Sequence, residues 1–389
     1  MTAYDEQYDY VVVGLGALGS ATAYHLARAG HRVLGLEQFE LGHSRGASHD
    51  TSRILRHSYH TPEYVRLTFD AYDDWEVLER DCGDSLVTRV GGLDLFPPDA
   101  AIPIGDYTRS MDACGVDYQV LKREDVRRRW PQFHLPHGTV GLYQDRASIV
   151  PAARGTAAMQ AQATRFGARL LPHSRVVGLG DLGPETVVLT PERTYRAGRV
   201  VVCADAWTGS LLSHLGLAFN LTVTLEQVTY FRPADPAPYQ QGRLPLWIWM
   251  DDPCYYGFPC YGEDTVKAAQ DCSEIETSAD TRPFEPDATR TREIKAFMSG
   301  LLPDSGPVAA SKTCLYTLPP DRDFVVGPLP DHPDVLVGLG AGHAFKFAPT
   351  LGRLLGELAT TGTTAADIGA FAPGRDALTK QDQSVHWLV

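Results

Sequence analysis

The chain has 389 residues, 43% apolar and 21% charged, with a formal net charge of −13. That length predicts two domains rather than one core, and the acidic balance argues against nucleic acid as a partner. Seven cysteines without a CxxC pair do not make a disulfide framework, and neither a signal peptide at Met1 to Glu6 nor an apolar run of about 18 residues is visible, so a soluble cytoplasmic protein with no membrane association is expected.

The apolar run Tyr10-Val11-Val12-Val13 predicts the first strand. Gly14-Leu15-Gly16-Ala17-Leu18-Gly19 follows and opens an amphipathic helix from Ala17 to Ala29, ended by Gly30. A second apolar run, Arg32 to Leu36, ends on Glu37. A lone G-x-G-x-x-G carries little weight, but strand, glycines, helix and a following acid together predict a dinucleotide site. Gly14 permits the tight turn, Gly16 admits a pyrophosphate to the backbone, and Gly19 lets the helix pack closely on the sheet. The pyrophosphate rests at the helix N-terminus and Glu37 accepts from ribose hydroxyls. A ligand-free glycine-rich turn is the bland alternative.

Thr61-Pro62 predicts a helix N-cap and first position, with Val65, Phe69, Tyr72, Trp75 and Leu78 on the buried face and Gly83 past the end. Leu86 to Phe96 reads as a bent strand pair about Gly91-Gly92, halted by Pro97-Pro98. Lys122 to Arg129 reads as a charge-dense, solvated helix and Pro151 to Phe166 as a second helix. Arg199 to Cys203 has the continuous apolar character of a parallel strand. From Leu221 to Ala269 the segments Thr222–Leu225, Leu246–Met250 and Tyr255–Phe258 predict an antiparallel sheet with aromatic faces. Val335 to Gly338 is another buried strand, running through Gly340-Ala341-Gly342-His343 into a helix to about Thr360.

The fold class expected is α/β. A discontinuous Rossmann-like domain comprises residues 1–85, 145–220 and 310–389, and an inserted antiparallel-sheet substrate domain comprises 86–144 and 221–309. Only one glycine fingerprint is present, whereas enzymes with separate FAD and NAD(P) domains usually carry two.

Five motifs in order give the chain a resemblance to the monomeric sarcosine oxidase and N-methyltryptophan oxidase family. They are the fingerprint through Glu37, the loop Ser48 to His57, Tyr255 to Pro259 with Lys267, Cys314 to Thr317 with Pro320-Asp321 and Phe324, and Gly342 to Phe347. The resemblance spans nearly the whole length. It implies FAD as cofactor, a monomer, and a small amino-acid substrate. It implies oxidation of the C–N bond of a secondary α-amino acid to an imine, with O2 reduced to hydrogen peroxide.

The resemblance also assigns roles residue by residue. Cys314, read alone a buried thiol, becomes the attachment point of a covalent flavin. Arg53 lies near the flavin, and Arg56 and Lys346 hold the substrate carboxylate, a task that suits the planar guanidinium fork. On a helical turn Arg53 and Arg56, three apart, would share one side. Lys267 promotes reaction with oxygen, because a fixed cation stabilises the superoxide charge as it develops. Tyr256 and Trp247 contribute to the substrate pocket; Trp247 and Trp249 alternate on one strand and so point the same way. Asp271 departs from the sarcosine type, where histidine is usual, and resembles oxidases of cyclic imino acids. Its carboxylate would hold the substrate amine or take its proton. The expected catalytic residues are Lys267, Arg53 and Asp271. The expected cofactor-binding set is Gly14, Gly16, Gly19, Glu37, Ser52, Arg53, Val176, Cys314, Gly342 and Lys346. His43, His49, His57 and His60 lie close in sequence but lack a metal-ligand pattern, and no metal is expected. Three alternatives stay open: a cyclic imino-acid oxidase in a biosynthetic pathway, a dinucleotide-binding protein that has lost catalysis, and an NAD-dependent dehydrogenase.

Overall fold

The first strand, Glu6–Val13, is flanked on both sides by parallel neighbours, Val33–Leu36 and Thr194–Val202. Burial on both faces explains its unbroken apolar run. The strand lies in a computed structural model that describes residues 6–182 and 185–380. Residues 1–5 of the opening segment read for a leader, and residues 381–389 of the 310–389 range, fall outside the described residues. Arg169–Leu171 extends the parallel sheet beyond Val33–Leu36, and His332–Leu339 extends it beyond Thr194–Val202. The chain therefore builds outward in both directions from its first strand. The crevice where that order reverses, outside the carboxyl ends of the strands, is where such sheets bind ligands. Gly178–Leu182, Glu185–Leu189 and Val325–Leu329 pair antiparallel at the margins and bring the sheet to eight strands. Helices Ala17–Arg28, Ala152–Arg165 and Ala348–Thr361 pack together in the largest apolar core.

A second eight-stranded sheet holds Gln119–Lys122, Val140–Gln144, Gly92–Phe96, Leu246–Trp249, Tyr255–Phe258, Val266–Gln270, Thr222–Phe231 and Val308–Leu318 in spatial order. Every pairing is antiparallel except that of Leu246–Trp249 with Gly92–Phe96. The strand Val308–Leu318 crosses the boundary expected at 310, because nearly its whole length pairs with Thr222–Phe231. Helix Ala288–Leu301 covers one face of this sheet, packing Ile294, Phe297 and Met298 against Trp247. The other face looks toward the first sheet.

Several expectations are corrected. Leu86 to Phe96 is not a hairpin: Thr88–Arg89 joins a small sheet with Ser148–Val150 and Arg53–Leu55, while Gly92–Phe96 enters the large one. The chain kinks between them at Gly91, with φ 73°. Helix Pro62–Cys82 begins and ends where expected, yet Thr61 makes no side-chain cap, and Phe69 is exposed on the helix, its ring against His57. Arg53 and Arg56 lie on and just beyond a short strand rather than on a helical turn.

Candidate functional site

Two cavities meet at the carboxyl edge of the parallel sheet. They share Gly16, Ala47, Ser48, Cys203 and Asp205, so they form one elongated cleft. The far cavity is lined by Gly14, Leu15, Glu37, Val176 and Arg175 among others. The near cavity lies between the two sheets and is lined by Arg53, Arg56, Tyr256, Asp271, Gly342, His343 and Lys346 with apolar neighbours.

The far cavity is shaped by backbone. Gly14 has φ 88°, and a Cβ there would strike the carbonyl of Cys203. A Cβ on Gly19 would drive into the carbonyl oxygen of Gly14, so the helix reaches the sheet only because no side chain intervenes. Helix Ala17–Arg28 has no acid in its first turn; the Ala17 N–H donates to the Ser48 hydroxyl at 2.9 Å, a neutral group that leaves the positive end of the helix suited to an anion. Glu37 accepts from the Leu15 N–H at 2.8 Å and the Phe39 N–H at 3.1 Å, with His43 Nε2 at 3.4 Å. Burial opposes its charge, but His43 and the Leu15 N–H outweigh it and hold the carboxyl below its usual range. An extended cleft with a glycine turn and helix N-terminus at its neck and a charged acid at one end fits a dinucleotide such as FAD.

The near cavity is shaped by charge. Arg56 Nη1 donates to Asp94 Oδ2 and to Ser58 Oγ, each at 3.1 Å, and its guanidinium lies over the Tyr59 ring at 5.4 Å. Burial acts against this charge, yet Asp94 keeps the guanidinium firmly protonated. Lys346 Nζ donates to the Tyr59 hydroxyl at 2.8 Å and the His343 carbonyl at 3.0 Å. Its own carbonyl is fixed by Trp75 Nε1 at 2.7 Å. Burial first, then Arg56, lowers the lysine to about 7, against the pull of Asp271. Asp271 lies 3.4 Å from Arg322 Nη1, and its N–H donates to the Cys254 carbonyl at 2.9 Å. Arg53 spends its donors on backbone, binding the carbonyls of Ala47, His49 and Ser52 at 2.8 to 3.0 Å.

The structure thus brings together Arg53, Arg56, Tyr256, Asp271, Gly342 and Lys346 at one cavity, and Gly14, Gly16, Glu37 and Val176 at the other. Three expected residues stand just behind the walls. Lys267 is buried, with Nζ 3.0 Å from Asp50 Oδ2 and 2.9 Å from the Ser52 carbonyl, and lies over the Phe258 ring, itself on the wall. Ser52 contributes that carbonyl rather than a side chain in the cleft. Cys314 is buried beside Leu315 and Tyr316, which do line the cavity. Burial raises its thiol to about 12. Trp247 is a correction: it is fully buried under helix Ala288–Leu301, with its indole against Phe297 and Gly257. Strand alternation sends its neighbour Ile248 to the cavity instead.

Three acids beside the cleft had no role assigned from sequence: Asp94, Asp205, and Asp50 within the loop Ser48 to His57. A charged residue inside the apolar strand Gly92–Phe96 was the available signal for Asp94. Asp205, raised to about 6 by burial, lines the neck of the cleft, and its φ of 45° leaves no trace in sequence. Among the described residues no three His, Cys, Asp or Glu come together to hold a metal, and no helix is long and apolar enough to cross a membrane.

Residues 9–358 match the family described as FAD dependent oxidoreductase. The chain belongs to that family. It is 36% identical over 377 residues to the monomeric sarcosine oxidase of Streptomyces avermitilis, covering 95% of this chain and 97% of the relative. It is 31% identical to the human peroxisomal sarcosine oxidase, over 96% and 98% of the two chains. The N-methyl-L-tryptophan oxidase of Yersinia pestis is 29% identical over 95% and 99%. Among solved structures, the open form of NikD, an unusual amino acid oxidase essential for nikkomycin biosynthesis, is 30% identical with a TM-score of 0.86 over 95% and 98% of the chains. The protein is a flavin-dependent oxidoreductase acting on CH–NH groups.

Proposed function

We propose that this FAD dependent oxidoreductase oxidises the C–N bond of a secondary α-amino acid, N-methyl or cyclic, and passes the electrons to oxygen. One observation carries the reading: two buried cations, Arg56 and Lys346, line a cavity that Asp271 also lines, inside an acidic molecule. A substrate carboxylate bridges Arg56 and Lys346. Asp94 and Ser58 hold one side of the guanidinium, leaving the rest of its fork for two parallel bonds to the carboxylate. Asp271 accepts the amine N–H and favours binding of the nitrogen. The amine must lose its extra proton before oxidation, since its lone pair supports departure of hydride.

Bound FAD would accept the two electrons and deliver them to oxygen. In balance, the substrate loses two electrons and two protons to become an imine, and oxygen gains both to leave as hydrogen peroxide. Water then hydrolyses the imine. The residues that hold the cofactor are Gly14, Gly16, Gly19, Glu37, Val176, Arg53, Gly342 and the Ser52 carbonyl region, with Cys314 as covalent anchor. Support for the anchor is that its neighbours Leu315 and Tyr316 line the cleft. A yellow colour that stays with acid-precipitated protein, and is released from Cys314→Ala, tests it. Lys267 supplies the fixed cation where oxygen takes its first electron. Lys267→Met should slow reoxidation while leaving anaerobic reduction nearly intact.

Asp271 on the cavity wall, where the sarcosine type usually carries histidine, favours a second reading of the pocket, for a cyclic or ring-bearing substrate. Peroxide release on sarcosine, N-methyltryptophan, proline and pipecolate tests both. Turnover on none of them, with peroxide formed only from primary amines, would remove the proposal.

A further inference from the structure

Asp50 has a backbone φ of 80°. Glycine adopts that conformation at little cost and other residues do so only under constraint. The side chain explains the choice. The carboxylate is 3% exposed and accepts from Lys267 Nζ at 3.0 Å, Lys312 Nζ at 2.9 Å and the Tyr230 hydroxyl at 2.5 Å. Lys267 lies between the rings of Phe258, at 4.6 Å, and Tyr230, at 5.9 Å, its cross-strand neighbours on either side.

We propose that Asp50 is a positioning residue for the oxygen half of the reaction: it fixes the Lys267 ammonium in place and keeps it charged. This rests on the role given to Lys267 above. The groups facing Lys267 are Asp50 and Arg53 from one segment, the Tyr230 phenol from the adjacent strand, and Lys312 and Cys314 from the strand beyond. Burial keeps the thiol and the phenol neutral, so Asp50 is the anion of this group. Burial foremost, and Arg53 after it, lower Lys267, Asp50 opposes both, and the balance leaves the lysine at about 8. Burial opposes the charge of Asp50 too, but Lys267, Tyr230 and Lys312 outweigh it and hold the carboxyl well below its usual range. The pair is therefore ionic at neutral pH. Without the carboxylate, the lysine would lose its proton at a lower pH, because the one contribution that opposes burial and Arg53 from a neighbouring anion is gone.

Two variants test this in the FAD-loaded protein. Asp50→Gly removes the carboxylate and suits the positive φ; Asp50→Asn keeps the shape and removes the charge. After anaerobic reduction each is mixed with oxygen across a pH series. The wild-type profile should fall with a midpoint near 8. The variants' midpoint should move down by about one unit or more, slowing reoxidation about tenfold at alkaline pH while acid restores it. A titration of 13C-labelled lysine by NMR, with the Lys267 signal assigned by its loss in Lys267→Met, should show the same shift independently of turnover. An unmoved midpoint in both variants, or an unmoved Lys267 titration, overturns the proposal. If Lys267→Met itself reoxidises at the wild-type rate, the reading of Lys267 falls and the role of Asp50 with it. If that variant is slow and the Asp50 variants keep the wild-type profile, only the role of Asp50 falls.

Discussion

The two halves of the cleft are built by different physics. At the glycine end, affinity is prepared by backbone: a turn with glycine at the two points of close approach, a helix terminus and one acid already bonded to main-chain N–H groups. At the other end, function is prepared by side chains drawn from segments far apart in sequence, three of them set against an opposite charge: Arg56 on Asp94, Lys267 on Asp50, Asp271 on Arg322. A backbone site tolerates few substitutions but needs little electrostatic support. A site of buried charges depends on its partners, because each ion removed from water must be compensated. Damage should therefore take different forms in the two halves.

The largest effect is expected at the backbone end. Gly19→Ala places a methyl group against the Gly14 carbonyl, and the helix must move off the sheet to relieve it. Purified variant should carry little or no FAD, and reconstitution should require at least about a hundredfold more cofactor, a loss of about 3 kcal/mol. Normal flavin content would show that the helix can shift without disturbing the phosphate site.

At the charged end, Arg56→Met should leave flavin content intact and raise KM. Loss of one partner of a buried, hydrogen-bonded charge pair costs about 2–5 kcal/mol, so kcat/KM should fall by about thirtyfold or more. Part of that loss belongs to the stranded Asp94 carboxylate. Adding Asp94→Asn to Arg56→Met should recover thermal stability without recovering KM. Recovery of both would mean that Arg56 supports the fold and not the substrate.

The pH dependence sharpens the same contrast. Lys346 is lowered to about 7 by burial and by Arg56. Its ammonium, the form that holds a carboxylate, is present below that value and lost as pH rises through it. KM for the substrate should increase above about pH 7, up to tenfold per unit until bound carboxylate itself restores the proton. Lys346→Met should start from a higher KM and lose that limb. A limb that survives in this variant belongs to another group.

This division also decides what could be read from sequence. The glycine end is local: Glu6 to Glu37 is one continuous strand, turn, helix and strand, and its periodicity and turn chemistry give the structure directly. The charged end is not local. Arg56 and Lys346 were legible through motif resemblance, but Asp94, which fixes Arg56, sits in a strand whose register against Leu246–Trp249 no short-range pattern specifies. Trp247 shows the limit most clearly. Alternation correctly put it on the same side as Trp249, but cannot say which side faces the cleft. That depends on helix Ala288–Leu301 landing on one face of the sheet, a tertiary fact.

The smallest expected effect on turnover follows from that alternation. Ile248 lines the cavity and Trp247 the core behind it, so neighbouring residues should separate selectivity from stability. Ile248→Ala enlarges the pocket wall and should change the ratio of kcat/KM between a bulky and a small secondary amino acid by about tenfold, within the 1–3 kcal/mol that an apolar pocket contact provides. Trp247→Ala should leave that ratio nearly unchanged and destabilise the protein by about 3–5 kcal/mol, the cost of a large core aromatic, read in a denaturant titration of the holoenzyme. If selectivity follows Trp247 instead, the sheet presents its other face to the substrate. The cleft described between the two sheets would then not be the one in which Arg56 and Lys346 bind it.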